Sequence, residues 1–369
     1  MRNLEQNKKS QLIKRKLIIS GVLFGVSALL FIMSYYITGF ADVYYKYIYS
    51  NLIKSVSRGV SLIPFSLYEV ILYVFSIFIL ARIVLYIYLG LERKISFKGF
   101  IIRSTTNFLV YVSVFTFLNM ITLGVNSFKS DFVLLTGLNV EVKSQDKLVE
   151  LCEYLKENLN ELDKKIKKDE KGFLKTDSNV KEEGINSMKN LGRTYSSLQG
   201  FYPNPKPYIF SKVMSYQLLM GETDFTLEAN YNNEMPESNI PSTICHELSH
   251  IKGFNNEYEA NYISFLACIN SDSYEYQYSG YLMAYSYCMG DLYDFDLESF
   301  KKINNELSDN VKKELKNDAL YWDKYRGRIS KIHNETYDKL LKITGQKEGI
   351  RSYNAVVKLL ISGYGAQFK

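Results

Sequence analysis

Two histidines and a glutamate in the second half of the chain have the spacing of a metal-binding helix. Residues 241–253 read PSTICHELSHIKG, with His246 and His250 four positions apart and Glu247 directly after the first histidine. On a helix this spacing brings both imidazoles to one face, close enough to bind one tetrahedral Zn²⁺. Glu247 would reach a metal-bound water rather than the metal. The pattern therefore predicts a catalytic zinc site with Glu247 as general base.

A catalytic zinc needs a third protein ligand and one open position. The remaining histidine, His333, stands far along the chain on a polar stretch, and we expect it to be exposed to solvent. The start of the next predicted helix offers two carboxylates, Glu257 and Glu259. Glu259 is the preferred ligand because Ala260 and an apolar face follow it, which predicts packing against the first helix. Glu257, nearer the helix start, would favour the helix dipole.

The segments around this motif predict how it is positioned. Pro241 breaks the chain before Ser242, a good N-cap, and Gly253 is a typical residue just past a helix end. Residues 223–231 alternate apolar and polar positions, which predicts a half-buried or edge strand. Glu228 and Asn230 lie in that strand, whose edge could bind an extended peptide by β-augmentation.

The remainder of the polar region is predicted to be mostly helical. Residues 145–170 form an amphipathic pattern, and residues 200–209 indicate a proline-containing loop leading to a short strand. Further helices are predicted at 256–270, 274–292, 296–325, 329–343 and 350–362. The expected fold is a single α-rich α+β domain of zincin-like type, covering residues 127–369.

Residues 1–126 predict a membrane anchor with three transmembrane helices. The three apolar stretches are 17–38, 63–89 and 104–125. About 20 apolar residues span the hydrocarbon core as a helix. Glu69, near the start of the second stretch, is expected at a membrane interface.

Basic residues predict the orientation of the anchor. The residues before the first span are Arg2, Lys8, Lys9, Lys14, Arg15 and Lys16. Those between the second and third spans are Arg93, Lys94, Lys98 and Arg103. The loop between the first two spans has fewer, namely Lys46, Lys54 and Arg58. By the positive-inside rule the N-terminus is cytoplasmic, and three spans then place the polar domain on the extracytoplasmic side. We expect a multi-pass protein of the cell membrane.

Composition excludes several other classes. The net charge of +6 comes with no basic stripe or nucleic-acid motif, so no nucleic-acid partner is expected. The aromatic content of 15% is too high for a disordered chain and suits contact with a lipid bilayer. The four cysteines lack C-x-x-C spacing, which argues against a zinc ribbon or a thioredoxin-type motif.

The run HELSHIKGFNNEYEANYISFLAC resembles the signature of a family of bacterial membrane proteins with a zinc-peptidase-like domain, the domain of unknown function 3810. The similarity extends to GLNVE at 137–141, EAN at 228–230, YSGYLMAY at 278–285 and GQKEGIRSY at 345–353. It implies that His246, His250 and Glu259 are zinc ligands and that Glu247 is the base. Ser249 and Ser264 stand where alanine is usual in the pattern, and neither change affects a ligand.

Three further residues are candidates for substrate or oxyanion contacts from local resemblance alone. They are Tyr281, Arg351 and Tyr353.

These observations predict a membrane-anchored zinc metallopeptidase that hydrolyses a peptide or envelope protein. The alternative is a non-catalytic zinc-containing sensor or cell-envelope binding protein, whose metal would have four protein ligands and no open position. Glu247 distinguishes the two, because a structural zinc site has no use for a base beside its ligand. Intramembrane proteolysis is disfavoured because His246 lies about 120 residues beyond the third apolar stretch.

Overall fold

Three long apolar helices dominate the N-terminal third of the computed structural model, which describes residues 2–92, 96–140, 144–343, 355–366 and 368. They are α1 (Arg2–Tyr36), α2 (Leu67–Leu91) and α3 (Phe97–Asn119). By length and composition, three segments can cross a membrane: Ser10–Tyr36, Leu67–Leu91 and Lys98–Phe128. Ile77 and Val84 of α2 each leave 66% of their surface exposed, which suits contact with lipid. The three predicted apolar helices are confirmed.

The segment between the first two spans, residues 40–61, is helical and belongs to the core of the polar domain. Three short helices alternate with two π-helical turns: Phe40–Tyr44, Tyr45–Tyr49, Ser50–Leu52, Ile53–Ser57 and Arg58–Ser61. Tyr49 and Ile53 are buried. The Ser57 hydroxyl donates to the carbonyl oxygen of Leu227 at 2.8 Å. We call residues 40–61 the juxtamembrane segment.

The polar domain is mostly helical, as predicted. A π-helical turn, Met120–Gly124, a 3₁₀ turn, Val125–Phe128, and a short helix, Phe132–Thr136, follow α3. The longer helices are α4 (Gln145–Leu162), α5 (Val180–Thr194), α6 (Ser211–Gln217), α7 (Ile240–Ile251), α8 (Glu257–Ile269), α9 (Tyr274–Phe295), α10 (Leu297–Asn305), α11 (Asp309–Asp323), α12 (Arg328–Ile343) and α13 (Val356–Gly363). Single-turn 3₁₀ helices lie at Ser196–Leu198 and Glu237–Asn239.

Several predicted boundaries differ from the structure. The helix expected at 145–170 ends at Leu162. The helix expected at 296–325 is two helices, because Ser308 starts a new one by accepting a hydrogen bond from the Val311 amide at 3.2 Å. Helices α5 and α6 were not predicted. The start of the helix expected at 350–362 lies outside the described residues.

A small three-stranded sheet lies beside α7. Its strands are β1 (Lys206–Pro207), β2 (Gly221–Thr223) and β3 (Ala229–Tyr231), in the order β1-β3-β2. β1 is parallel to β3, and β2 is antiparallel to it. The prediction of one half-buried or edge strand over 223–231 is wrong, because the chain turns at Leu227 (φ 58°) between the end of β2 and β3, and β3 is the buried central strand. Within the described part of the chain, β2 pairs on one side only.

Helix α7 lies at the centre of the domain. Ile244, Leu248 and Ile251 are fully buried and seat its inner face in the core. Contacts with α8, α5, β3 and β2 hold the helix in place. The cysteines Cys152, Cys245, Cys268 and Cys288 are buried and unbridged.

Candidate metal centre

Helix α7 presents the paired histidines and ends at a glycine. It begins at Ile240, two residues before the predicted N-cap Ser242, with Pro241 in its first turn, where a missing N–H costs nothing. Gly253 ends the helix with φ 74°, as predicted from its type. A Cβ atom on Gly253 would lie 3.1 Å from the ring of Tyr45 in the juxtamembrane segment. The turn after the motif is therefore packed against that segment.

Three side-chain atoms from α7 and α8 converge at one point. The Nε2 atoms of His246 and His250 are 3.0 Å apart. Oε2 of Glu257 lies 3.1 Å from Nε2 of His246 and 3.7 Å from Nε2 of His250. In a tetrahedral zinc site with bonds of about 2.0–2.1 Å, adjacent ligand atoms are about 3.3 Å apart. The three separations match that geometry, and within the described ranges this is the group of His, Cys, Asp and Glu side chains that could hold a metal ion.

The other nitrogen of each imidazole contacts an acceptor. Nδ1 of His246 lies 2.8 Å from Oδ1 of Asn261, and Nδ1 of His250 lies 2.8 Å from the carbonyl oxygen of Phe254. When the two imidazoles are neutral, each Nδ1 donates its proton to these oxygens, which leaves the Nε2 lone pairs directed toward the point where a cation would bind. Metal-binding histidines usually show this second hydrogen bond, which fixes the tautomer and the ring orientation. The donor set therefore fits a divalent cation such as zinc.

The carboxylate at this point is Glu257, and the expectation for Glu259 is corrected by the geometry. The Glu259 carboxylate accepts hydrogen bonds from the backbone amide of Phe132 and from Nδ2 of Asn256, the latter at 3.1 Å. Burial, reinforced by the nearby Asp131, raises the pKa of Glu259 to about 7. Glu259 thus joins the start of α8 to the short helix at Phe132.

Glu257 is held by a residue that the sequence did not single out. The hydroxyl of Tyr337, on α12, donates to Oε1 of Glu257 at 2.6 Å and leaves Oε2 for the histidines. His333 is one turn earlier on α12, and its ring stacks on Tyr337 at a centroid distance of 5.8 Å. His333 was expected to be exposed but is half-buried, and its buried Nε2 has no hydrogen-bond partner among the described residues.

Glu247 lies beside the group without belonging to it. Its side chain is 3% exposed, and the hydroxyl of Thr223 donates to its Oε2 at 2.8 Å. A Cβ atom on Gly221 would lie 2.5 Å from Oε1 of Glu247, so β2 passes directly over this carboxylate. Burial raises the pKa of Glu247, and the two histidines offset part of that rise.

The charges within the group stabilise one another. Burial alone would raise the pKa of Glu257, but hydrogen bonds from His246 and His250 hold it well below the usual value. Burial alone would lower the pKa of His250, and the hydrogen bond and charge of Glu257 instead raise it to about 9. A positive charge is therefore favoured at the point where the three side chains meet.

The other predicted site residues lie elsewhere. Glu228 is buried in an ion pair with Lys206 at 2.6 Å and also accepts from the backbone amides of Leu67 and Tyr68 at the start of α2. Asn230 is fully buried in the central strand. Tyr281 is buried with its hydroxyl 3.1 Å from that of Tyr154. Arg351 and Tyr353 lie outside the described residues.

A comparison with known families covers most of the chain. The model of a family described as "Protein of unknown function (DUF3810)" matches residues 44–361, which include both histidines, Glu247 and Glu257. No curated protein and no solved structure matches the chain. Because the match covers well over half of the sequence, the chain belongs to this family.

Proposed function

We propose that the protein is a membrane-anchored zinc metallopeptidase with His246, His250 and Glu257 as ligands and Glu247 as general base. The observation that carries the proposal is the convergence of two Nε2 atoms and one carboxylate oxygen within 3.7 Å of one another. Three protein ligands leave one position open in a tetrahedral site, as in catalytic rather than structural zinc centres.

The proposed chemistry divides between the metal and Glu247. A bound zinc ion would supply Lewis acidity, lowering the pKa of a coordinated water to about 7 and polarising the scissile carbonyl. Glu247 takes the proton of the attacking water and later passes it to the leaving amine. Its buried carboxylate suits this role because it lies beside His246 and the hydroxyl of Thr223 fixes its position.

We further propose that the substrate is an extended peptide or envelope protein bound along β2. β2 is the strand adjacent to Glu247, and one of its edges is unpaired in the described ranges. A peptide pairing with that edge would add a strand to the sheet by β-augmentation. This strand replaces β3 as the proposed binding edge, because β3 is paired on both sides.

The proposed location is the cell membrane, with a cytoplasmic N-terminus and an extracytoplasmic polar domain. The Lys and Arg distribution supports this orientation. The contacts of the anchor support one part of this proposal, that the N-terminus and the polar domain lie on opposite sides. The juxtamembrane segment after α1, the start of α2 and Lys129 after α3 all contact the polar domain, so these three ends lie on one side.

The test is zinc content and peptide cleavage by the full-length protein in detergent or nanodiscs. The wild-type protein should hold one zinc ion per chain and cleave members of a mixed peptide library. Glu247→Gln should keep the zinc and lose about 10²- to 10⁴-fold in cleavage rate, the usual contribution of a general base. His246→Ala should lose the zinc.

Two results would contradict the proposal. Unchanged cleavage by Glu247→Gln would exclude this residue as the base. Retained zinc without cleavage of any peptide, in wild type and variant alike, would favour the non-catalytic sensor or binding protein.

A further inference from the structure

A row of exposed apolar side chains lies on α6 and on the two residues before it, beside the membrane spans. Phe210, Val213 and Tyr216 repeat every three residues and are 57%, 48% and 43% exposed. Ile209, just before the helix, is 51% exposed, and the exposed Lys212 lies in the same stretch. The opposite face, with Ser211, Met214 and Ser215, is buried in the domain. We call residues 209–216 the α6 surface.

The α6 surface is fixed to the second span. The Glu69 carboxylate, in the first turn of α2, accepts hydrogen bonds from the backbone amides of Ile209 at 2.5 Å and Phe210 at 2.8 Å. The Phe210 ring packs edge-on against Tyr73, with centroids 5.4 Å apart. Tyr73 is six residues into α2, so the contact lies about 9 Å along that helix. Glu69 thus connects the second span to the polar domain.

A second loop of the domain reaches the third span. The Phe225 ring packs against Tyr68 of α2 and Phe115 of α3, at centroid distances of 5.5 and 5.8 Å. Residues 209–216 precede β2 in the sequence and Phe225 follows it. The segments before and after this strand therefore both contact the ends of membrane helices. Aromatic side chains at such ends are typical of the membrane–water interface.

We propose that the α6 surface is embedded in the interface of the bilayer, and that the edge of β2 beside Glu247 receives polypeptides anchored in the same membrane. Apolar and aromatic side chains with an adjacent lysine are the composition of interfacial helices, in which the ammonium group reaches the lipid phosphates. The occupant of the surface is lipid because the surface continues directly from α2. The substrate half of this proposal rests on the proposed peptidase function.

The distances along the chain bring the site close to the bilayer. From Tyr216 to Gly221 is five residues, which span at most about 18 Å when fully extended. Gly221 contacts Glu247, so the proposed base lies within roughly that distance of the interface. The segment just outside the membrane anchor of a substrate can therefore reach the site.

Depth-dependent fluorescence quenching tests the surface. The chain has one tryptophan, so Trp322→Phe gives a background in which a single new tryptophan reports its surroundings. Val213→Trp places the probe on the α6 surface. Leu297→Trp is the matched control, an apolar position 45% exposed at the start of α10. In vesicles of phosphatidylcholine brominated on its acyl chains, the Val213 probe should lose most of its fluorescence and the Leu297 probe should lose little.

Equal quenching of the two probes would overturn the proposal for the surface. Cross-linking between two chains through position 213 in vesicles, without quenching, would also overturn it, because the face would then be covered by a second copy.

A comparison of two forms of one substrate tests the substrate half of the proposal. One cleavable sequence is supplied either as a free peptide or joined to a transmembrane helix in the same vesicles. The anchored form should be cleaved faster at equal concentration. Val213→Asp should reduce cleavage of the anchored form and leave cleavage of the free peptide unchanged. Equal cleavage of both forms would overturn the substrate half. Failure to cleave either form would contradict the peptidase function and with it the substrate half, while the quenching result is independent of both.

Discussion

Gly221 and Glu247 are in such close contact that a single added carbon would not fit between them. An ideal Cβ atom on Gly221 would come within 2.8 Å of both Cγ of Glu247 and the carbonyl oxygen of Asn230. Since Glu247 is buried and its Oε2 accepts from Thr223, the carboxylate has little room to move away. Because Gly221 has no side chain, the Glu247 carboxylate can occupy the space directly beneath β2.

Gly221→Ala should lower the rate of peptide cleavage without loss of zinc. The methyl group displaces the Glu247 carboxylate, and a misplacement of about 1 Å can cost on the order of 100-fold in rate. The measurement is kcat together with zinc content. Gly290→Ala is the matched control, because a Cβ atom there has no neighbour within 4 Å. A normal kcat in Gly221→Ala would mean that Glu247 need not stay where β2 holds it.

The choice between the two carboxylates of α8 is open to a direct test. Glu257→Gln should weaken zinc binding by at least about tenfold, because it removes a charged ligand. Glu259→Gln should bind zinc as the wild type does, since Glu259 contacts the Phe132 amide and Asn256. Zinc content is read after dialysis against graded chelator. Loss of zinc in Glu259→Gln, with normal binding in Glu257→Gln, would restore the ligand predicted from sequence.

Asn261 should increase metal affinity through its hydrogen bond to His246. Its Oδ1 lies 2.8 Å from Nδ1 of His246, and its Nδ2 donates to the Tyr287 hydroxyl at 3.2 Å. Removing such a second hydrogen bond usually costs 10- to 100-fold in metal affinity. We expect that loss in Asn261→Ala and no loss in Asn270→Ala, which changes an exposed asparagine just after α8. Equal affinities would show that the imidazole is oriented by packing alone.

A pair of buried carboxyls should make stability depend on pH. Burial raises the pKa of Glu222 to about 7, and burial together with Glu222 raises that of Asp224 well above its usual value. Tyr208 donates to Glu222 at 3.2 Å, Tyr68 faces Asp224, and Glu247 adds repulsion. The folded protein thus holds protons that the unfolded chain releases. The contribution of this pair to stability is greatest below the usual carboxyl pKa and is lost as the pH rises through about 7.

Asp224→Asn should reduce this loss of stability. The melting temperature of the purified protein should fall less between about pH 5 and about pH 8 than in the wild type. Glu170→Gln, at an exposed carboxylate, serves as control and should follow the wild type. An unchanged slope in Asp224→Asn would indicate that this carboxyl does not bind a proton in the folded state.

Glu228 should matter for stability and not for substrate binding. It accepts from Lys206, Thr226 and two backbone amides of α2. Glu228→Gln leaves Lys206 without its partner, and breaking a buried ion pair costs about 3–5 kcal/mol. Thermal unfolding should therefore shift downward while KM stays constant, with Glu182→Gln as an exposed control. A raised KM at normal stability would instead support the substrate contact expected from sequence.

Local chemistry was sufficient to predict some parts of the molecule. The pairing of His246 with His250 follows from the helical repeat, and the end of α7 follows from the left-handed conformation that glycine tolerates at Gly253. The spans follow from hydropathy and length. Each of these features depends on residues close together in sequence.

Features that depend on distant residues were missed. Whether Glu257 or Glu259 faces the histidines depends on how the turn after Gly253 orients α8 relative to α7, which no local pattern encodes. Tyr337 reaches Glu257 across 80 residues. β2 has only three residues, too few for a period of two to be recognised.

The juxtamembrane segment makes the anchor part of the folding unit and not merely a tether. Tyr49, Ile53 and, at the end of the third span, Val125 lie in the same apolar core as Ile244 and Leu248 of α7. Proteolytic release of the polar domain would remove the juxtamembrane segment from that core and expose buried apolar surface to water. We therefore expect that a shed, freely diffusing form would unfold, so that any activity stays confined to the membrane in which the chain was inserted.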